Sequence, residues 1–412
     1  MAKNYKSIYD SGNVSIALEQ RFYAKQETTR GELKAPTGAD FFFHTTGSIE
    51  HSQAVESSPH KSGRHHNNII KKKKEASFSF ATFFNIDTAL PSASVSEIDP
   101  AVRMLWHNML GFEDSSSGLK YRAGIPSFTF SLFEVSDKWS RQARGCFMQG
   151  ANMSFPGDGE ATVEWSGMCK DALYVGMGKT TTSNDGANTV TLQAGEGALF
   201  SKAIGGLVML IHSDGTTRST DTPTGTPRKV VSVLGDVVTL DGAVFADADG
   251  SGLGDEMYLV YYEPTTLVAI DNPQTGLVGS FAITGHGSFC ARSIGVNLTN
   301  DHEAANYCYG TDSLSAPYFI PANRMTAEIT FEANWDEKML ALFNSVQSFE
   351  GKELTIVLGD AAGRRLQIDI PKAFFQIPSV AIPDTGSVPV SFSGNAYQTS
   401  IDAADELSVH YK

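Results

Sequence analysis

Two stretches of the chain carry the apolar period of an amphipathic helix, and they carry it in the same phase. Asp99-Pro100 supplies an N-cap followed by proline at the first helical position. Val102, Leu105, Trp106 and Met109 then fall at i, i+3, i+4 and i+7, one apolar stripe. Asp336 caps the second stretch, where Met339, Leu342, Phe343 and Val346 repeat that spacing 237 positions later. Phe112 and Phe349 close the two helices in the same register. Around each helix the apolar residues alternate instead. Phe78/Phe80 and Ile329/Phe331 precede the helices, and Phe128/Phe130/Leu132 and Leu354/Ile356/Leu358 follow them. A period of two predicts strands with one buried face.

The alternation belongs to a longer repetition. Residues 146–167, CFMQGANMSFPGDGEATVEWSG, align without a gap on residues 373–394, AFFQIPSVAIPDTGSVPVSFSG, at an offset of 227. Seven of the 22 positions are identical: Phe147/Phe374, Gln149/Gln376, Pro156/Pro383, Gly159/Gly386, Val163/Val390, Ser166/Ser393 and Gly167/Gly394. Unrelated segments share roughly one or two identities by composition alone. Each copy reads strand, helix, strand, strand, turn, strand, and a sheet curled around one helix buries both apolar faces. The repetition predicts a duplicated unit.

Residues 172–272 do not repeat. Strand candidates at 189–193, 207–212, 229–234, 236–240 and 257–262, separated by Gly/Asp/Thr-rich turns, predict a small β-barrel or sandwich. The expected fold is mainly β. Two tandem β-sandwich or barrel domains, residues 1–171 and 273–412, each carry a flanking α-helix, and the small β domain lies between them. The first domain is expected to hold an N-terminal arm and a long polar loop over residues 44–76.

Length agrees with this division, since 412 residues exceed one ordinary core. Thirty-eight glycines and sixteen prolines suit many short strands and turns. Residues 1–6 lead into no apolar core, so no secretory signal is expected, and no apolar run reaches bilayer length, so no membrane partner is expected. Cys146, Cys169, Cys290 and Cys308 show no CxxC spacing and read as reduced thiols of a protein made in a cytoplasm. Asn152-Met153-Ser154 and Asn297-Leu298-Thr299 match the glycosylation pattern but mean nothing without a secretory route. The net charge of −14 gives the chain no reason to hold DNA, because phosphate affinity comes from clustered cations. It suits a surface past which DNA slides.

Candidate chemistry changes the picture little. Gly176-Met177-Gly178-Lys179-Thr180 resembles the end of a phosphate loop, but Leu173 stands where the first glycine belongs, and a glycine turn is expected. Asp247, Asp249 and Asp255 have spacings that could wrap a calcium ion. They lack the EF-hand ligand order, so a solvated hairpin loop is expected. His60, His65 and His66 lie beside Arg64 and the run Lys71, Lys72, Lys73 and Lys74 without carboxylate or cysteine partners. This reads as a cationic segment docking onto an acidic neighbour. No Ser/His/Asp order stands out, so neither an enzyme, a cofactor nor a metal is expected.

The stretch from Thr28 to Asp40, TTRGELKAPTGAD, resembles tail tube proteins of long, flexible-tailed bacteriophages. So do Glu56-Ser57-Ser58-Pro59 with Ser62-Gly63-Arg64, and the ending from Ile382 to Gly394 is similar to their C-terminal hairpin. The resemblance covers both repeats but not residues 172–272. It implies a β-sandwich with a flanking helix whose subunits form rings. The rings stack into a tube that holds a tape-measure protein and conducts DNA during ejection. It also implies the tail terminator and distal tail proteins as partners, a virion location and assembly in the bacterial cytoplasm. The usual subunit has one such domain and forms hexamers; two per chain imply a trimeric ring with pseudo-sixfold symmetry. The inter-ring contact candidates are then Arg64 and Lys71–Lys74. The alternative is a tandem β-sandwich binding module, a virion decoration or carbohydrate-binding protein with exposed aromatic platforms.

Overall fold

Both expected helices form, and their caps explain where they begin. In α3 (Glu337–Gln347) the Asp336 carboxylate accepts from Met339 N at 2.8 Å, which satisfies one of the orphan N–H groups of the first turn. In α2 (Pro100–Leu110), proline opens the helix, where its missing N–H costs nothing. Leu105, Trp106 and Met109 are fully buried, each contributing on the order of 1.5–3 kcal/mol. The structure is a computed structural model. It describes residues 3–11, 19–57, 69–84, 100–115, 119–182, 188–216, 218, 227–242, 257–264, 279–304, 319–321, 323–359, 365–380, 382–401 and 403–411.

The chain is mainly β. A short helix α1 (Tyr5–Asp10) precedes the first half, which holds β1 (Arg21–Gln26), β2 (Phe41–Phe42), β3 (Thr46–Ser57) and β4 (Ile69–Phe83) before α2. After α2 come β5 (Gly111–Asp114), β6 (Leu119–Ala123), β7 (Phe130–Val135), β8 (Ser140–Pro156), β9 (Thr162–Cys169) and β10 (Asp171–Val175). The ladder runs β2–β1–β7–β8–β9–β4–β3, with β10 beside the start of β8. Because β8 is long, its first part belongs to an outer layer with β1, β7 and β10, and its last part to an inner layer with β3, β4 and β9. Phe22 and Leu132 from the outer layer meet Phe78, Met153 and Trp165 from the inner one in a single core.

A closed barrel follows. Its strands are β11 (Gly178–Thr182), β12 (Thr189–Leu192), β13 (Leu207–Ile211), β14 (Arg228–Leu234), β15 (Val237–Leu240) and β16 (Tyr258–Tyr261), in the order β11–β12–β15–β14–β13–β16. All five expected strand regions lie in it. The glycine turn expected at residues 176–180 is corrected: Gly178–Thr182 is the strand that closes the barrel. Glycine at 178 marks a close approach, since a Cβ there would sit 3.1 Å from Glu196 Oε2 and 3.2 Å from Leu192 Cδ1. The barrel is not free-standing, because Tyr23, Phe41, Phe133 and Val135 of the outer layer share its hydrophobic core.

The second half holds β17 (Gly279–Ile283), β18 (Gly287–Phe289), β19 (Ala291–Thr299), β20 (His302–Ala304), β21 (Phe319–Pro321) and β22 (Thr326–Asn334) before α3. Then come β23 (Lys352–Leu358), β24 (Leu366–Phe375), β25 (Pro389–Ala396) and β26 (Ser408–Tyr411). Its ladder, β18–β17–β23–β24–β25–β22–β19 with β26 beside β24, repeats the first strand for strand. The registers agree as well. Phe147 faces Met168 where Phe374 faces Asn395, and Phe78 faces Gly167 where Ile329 faces Gly394. Even the register shift between Phe130 and Leu132 recurs between Lys352 and Leu354. That register pairs Leu132 with Leu354 and leaves Phe128 outside β7, which corrects the strand alignment expected after the helix. Alternation gives the face of a strand but not its slip along its partner.

The polar loop expected over residues 44–76 is also corrected. It is mostly a hairpin, with β3 and β4 paired from Thr46↔Ala81 to Ser57↔Ile69. Ile49 and Ala76 are buried in it, and Thr, Val and Ile at intervals suit a pleated strand. Beyond Ala76, β4 no longer pairs with β9, so residues 52–57 and 69–75 continue as a two-stranded ribbon past the inner layer.

Candidate functional site

The two halves join strand to strand. The last part of β8 pairs antiparallel with β19, from Gly150↔Thr299 to Pro156↔Ser293. The inner layers thereby fuse into one run, β3–β4–β9–β8–β19–β22–β25, with β24 at its end. A second pairing, β26 with β6, and a Trp106 Nε1–H donating to Tyr411 OH at 2.8 Å lock the same joint. Asn300 Nδ2 also donates to Met109 O.

One face of this run is core and the other is solvent. Across the solvent face Glu164, Asn152, Asn297, Glu328 and Asn395 stand side by side on five neighbouring strands. The adjacent row is Thr162, Ser154, Gly295, Thr330 and Ser393. Neither row contains Lys or Arg. A solvated sheet face alternates polar with apolar in any antiparallel protein; this one differs in crossing both halves without a break. From β3 to β19 it is also concave, with a trough of about 530 Å³ lined by Ser48, Ser79, Asn152, Glu164, Ser166 and Asn297. The barrel packs on the opposite side of the first half, against the outer layer.

The outer edge of β3 is closed by side chains. Ile49 N donates to Glu134 Oε2 at 2.9 Å, Arg141 Nη1 donates to Ile49 O at 2.6 Å, and Gln20 Nε2 donates to Gly47 O at 3.0 Å. Glu134 and Arg141 are cross-strand neighbours and an ion pair at 3.2 Å. The matching positions of the second half are Gly279, Ile356 and Ile368, as the ladders show. There the matching edge, β19, is covered by β8 instead. Among the described residues, the polar trio therefore occurs only at the edge with no strand beside it.

Two further clusters escaped sequence reading. Cys146 and Cys169 face each other at the base of the β8–β9 hairpin with their Sγ atoms 2.7 Å apart. Both are buried, and burial holds the Cys146 thiol pKa well above the usual range. The second half has Ala373 opposite Ala396 at that place. The offset of 227 was the signal available, since it maps both cysteines onto one cross-strand pair. Glu263, just past β16, is salt-bridged to Lys3 at 3.0 Å and Arg21 at 2.7 Å. It also accepts from Tyr5 OH and Tyr23 OH. Burial lowers the Lys3 pKa and outweighs the pull of Glu263. This node ties α1, β1 and the barrel together.

Arg64 and the calcium candidates Asp247, Asp249 and Asp255 lie outside the described residues, as do His60, His65 and His66. Lys71, Lys72, Lys73 and Lys74 lie on the part of β4 that forms the ribbon, and Lys74, half-buried, faces Gln53 across it. Among the described residues no group of three or more His, Cys, Asp or Glu could hold a metal, and no helix is long and apolar enough to cross a membrane. No protein-family model matches the chain, and no curated protein is significantly similar to it.

Proposed function

We propose that the chain is the structural subunit of a phage tail tube, three copies forming a pseudo-sixfold ring and the rings stacking around a lumen. The observation that carries this reading is the polar face running unbroken through both halves, concave from β3 to β19. The halves are alike in strand order and register and meet head to tail through unlike edges, β8 against β19. A contact of that kind leaves one unlike edge at each end of the chain, and repeating it yields a closed ring or an open helix. On a lumen wall, Glu164 and Glu328 among Ser, Thr and Asn repel phosphates and offer no cation to trap them, so DNA slides. The same wall accommodates a tape-measure protein before ejection. Tail terminator and distal tail proteins would cap the ends, and the β3–β4 ribbon with Lys71–Lys74 would reach the next ring. The barrel, on the outer layer, stays clear of the lumen.

Electron microscopy with mass measurement on concentrated protein tests this. Hollow rings of three chains, stacking into tubes, are expected. Single-chain globules at every concentration would refute the tube, and six chains per ring would refute the trimer.

A further inference from the structure

We infer that the edge of β3 over Thr46–Ser52 is the closing seam for a second copy of this chain, and that Gln20, Glu134 and Arg141 hold that seam shut until the copy arrives. The inference rests on the ring reading and names the residues that close the ring.

The joint inside the chain is the template. Residues 150–156 of β8 correspond to 377–383 at the offset of 227. Gly47 faces Phe80 where Ile294 faces Phe331, and Ile49 faces Phe78 where Val296 faces Ile329, so β3 corresponds to β19 at an offset of 247. Met153↔Val296 then becomes Val380 of one copy against Ile49 of the next, and Asn152↔Asn297 becomes Ser379 against Glu50. Within the single chain, Met153 and Phe155 pair with β19 and face the core, and they are 0% and 3% exposed. Their counterparts Val380 and Ile382 are 38% and 81% exposed. Strand β24 ends at Phe375, Gln376 N still donates to Ser393 O of β25, and residues 377–380 and 382 join no ladder among the described residues. Among the described residues, an apolar stretch without a strand partner and a strand edge without a strand neighbour thus belong to opposite halves of one chain.

The trio explains how such an edge stays soluble. An open edge offers N–H and C=O groups to any strand, and charged side chains turned onto it block that pairing. Glu134 and Arg141 satisfy both backbone groups of Ile49 with charge-assisted bonds. An arriving strand replaces them with backbone bonds and covers Val380 and Ile382. Closure is thus an exchange of partners, with apolar burial tipping it forward.

The test pairs Glu50→Cys with Ser379→Cys in the full chain carrying Cys290→Ser, oxidised after assembly and mapped by peptide mass spectrometry. A link between copies at 50–379 is expected, with chain trimers on a non-reducing gel. Moving one partner to Ile382→Cys should lower the yield at least several-fold. Assembled rings lacking the 50–379 link would overturn the seam while leaving the ring reading intact; a chain that never assembles overturns both. Gln20→Ala with Arg141→Met should lower the concentration needed for assembly several-fold. An unchanged threshold in that variant, folded by circular dichroism, would overturn the latch.

Discussion

Gly167 and Gly394 occupy the same place in the two halves, and adding one methyl at either should be costly for the same reason. A Cβ on Gly167 would lie 2.2 Å from the Phe147 carbonyl oxygen and 2.4 Å from Phe78 Cζ. A Cβ on Gly394 would lie 2.4 Å from the Phe374 carbonyl oxygen and 2.7 Å from Phe375 Cδ1. Ordinary contact begins at 3.4 Å, so each methyl demands about an ångström of relief from backbone that is fixed in a ladder. Overpacking of this kind costs about 1–3 kcal/mol. Part is offset by the roughly 0.4–1 kcal/mol that alanine gains over glycine through the unfolded chain. At about 2–4 °C per kcal/mol for a domain of this size, Gly167→Ala and Gly394→Ala should each lower Tm by several degrees. Gly295→Ala is the control, since its nearest neighbour is the Thr330 hydroxyl at 2.7 Å, a side chain able to rotate away. Differential scanning calorimetry of the three variants decides it. If both Gly167→Ala and Gly394→Ala melt within about a degree of the parent, the equivalence of the two hairpins is not enforced by packing and the reasoning fails.

Two other outcomes follow from the same comparison and from burial. Cys146→Ala with Cys169→Ala should fold, because the second half already packs Ala373 against Ala396 there; a loss of about 1–2 kcal/mol in urea unfolding is expected, and insoluble protein would contradict it. Burial lowers the pKa values of His44 and His302 below the ordinary 6.5, so the unfolded chain takes up protons first. Stability should be complete above pH 6.5 and fall as pH drops below it toward the folded-state values. Urea midpoints at pH 7.5 and 5.5 measure this, and a slope unchanged in His44→Gln with His302→Gln would assign the effect elsewhere.

What the sequence made legible was local. Asp336, Pro100 and the stripe through Leu105, Trp106 and Met109 specify helices because capping and the 3.6 period act within a dozen residues. The five barrel strands were legible because turns flank them. Strand β11 was not, because Gly176 and Gly178 break the alternation that burial would otherwise impose. The ribbon was missed for a related reason. Residues 46–57 and 69–75 carry Ile49, Val55, Ile69 and Ile70 as their only large apolar side chains, too few to make an alternating apolar pattern that announces a ladder. The site lay further out of reach. Gln20, Glu134 and Arg141 are separated by up to 121 positions, and each alone reads as a solvated side chain. Only the strand order brings them to one edge, and only the second half, with Gly279, Ile356 and Ile368, shows what that place looks like when a strand covers it.

That contrast also ranks the joints. Inside the chain, the β8–β19 pairing is reinforced by β6 against β26 and by the Trp106–Tyr411 hydrogen bond. The hairpin β5–β6 follows α2, whereas after α3 only residues 348–351 intervene before β23. A joint between copies would therefore lack the β6–β26 arm, and Phe343 stands where the first half has Trp106, which removes its indole N–H. It would also have to displace an ion pair, where the internal joint sits beside two buried isoleucines. The internal joint has only to form once, during folding, and gains from permanence. A joint between copies would have to wait for its partner, and under the proposed latch, with fewer contacts behind it, that pairing would be conditional on concentration or on a template ring.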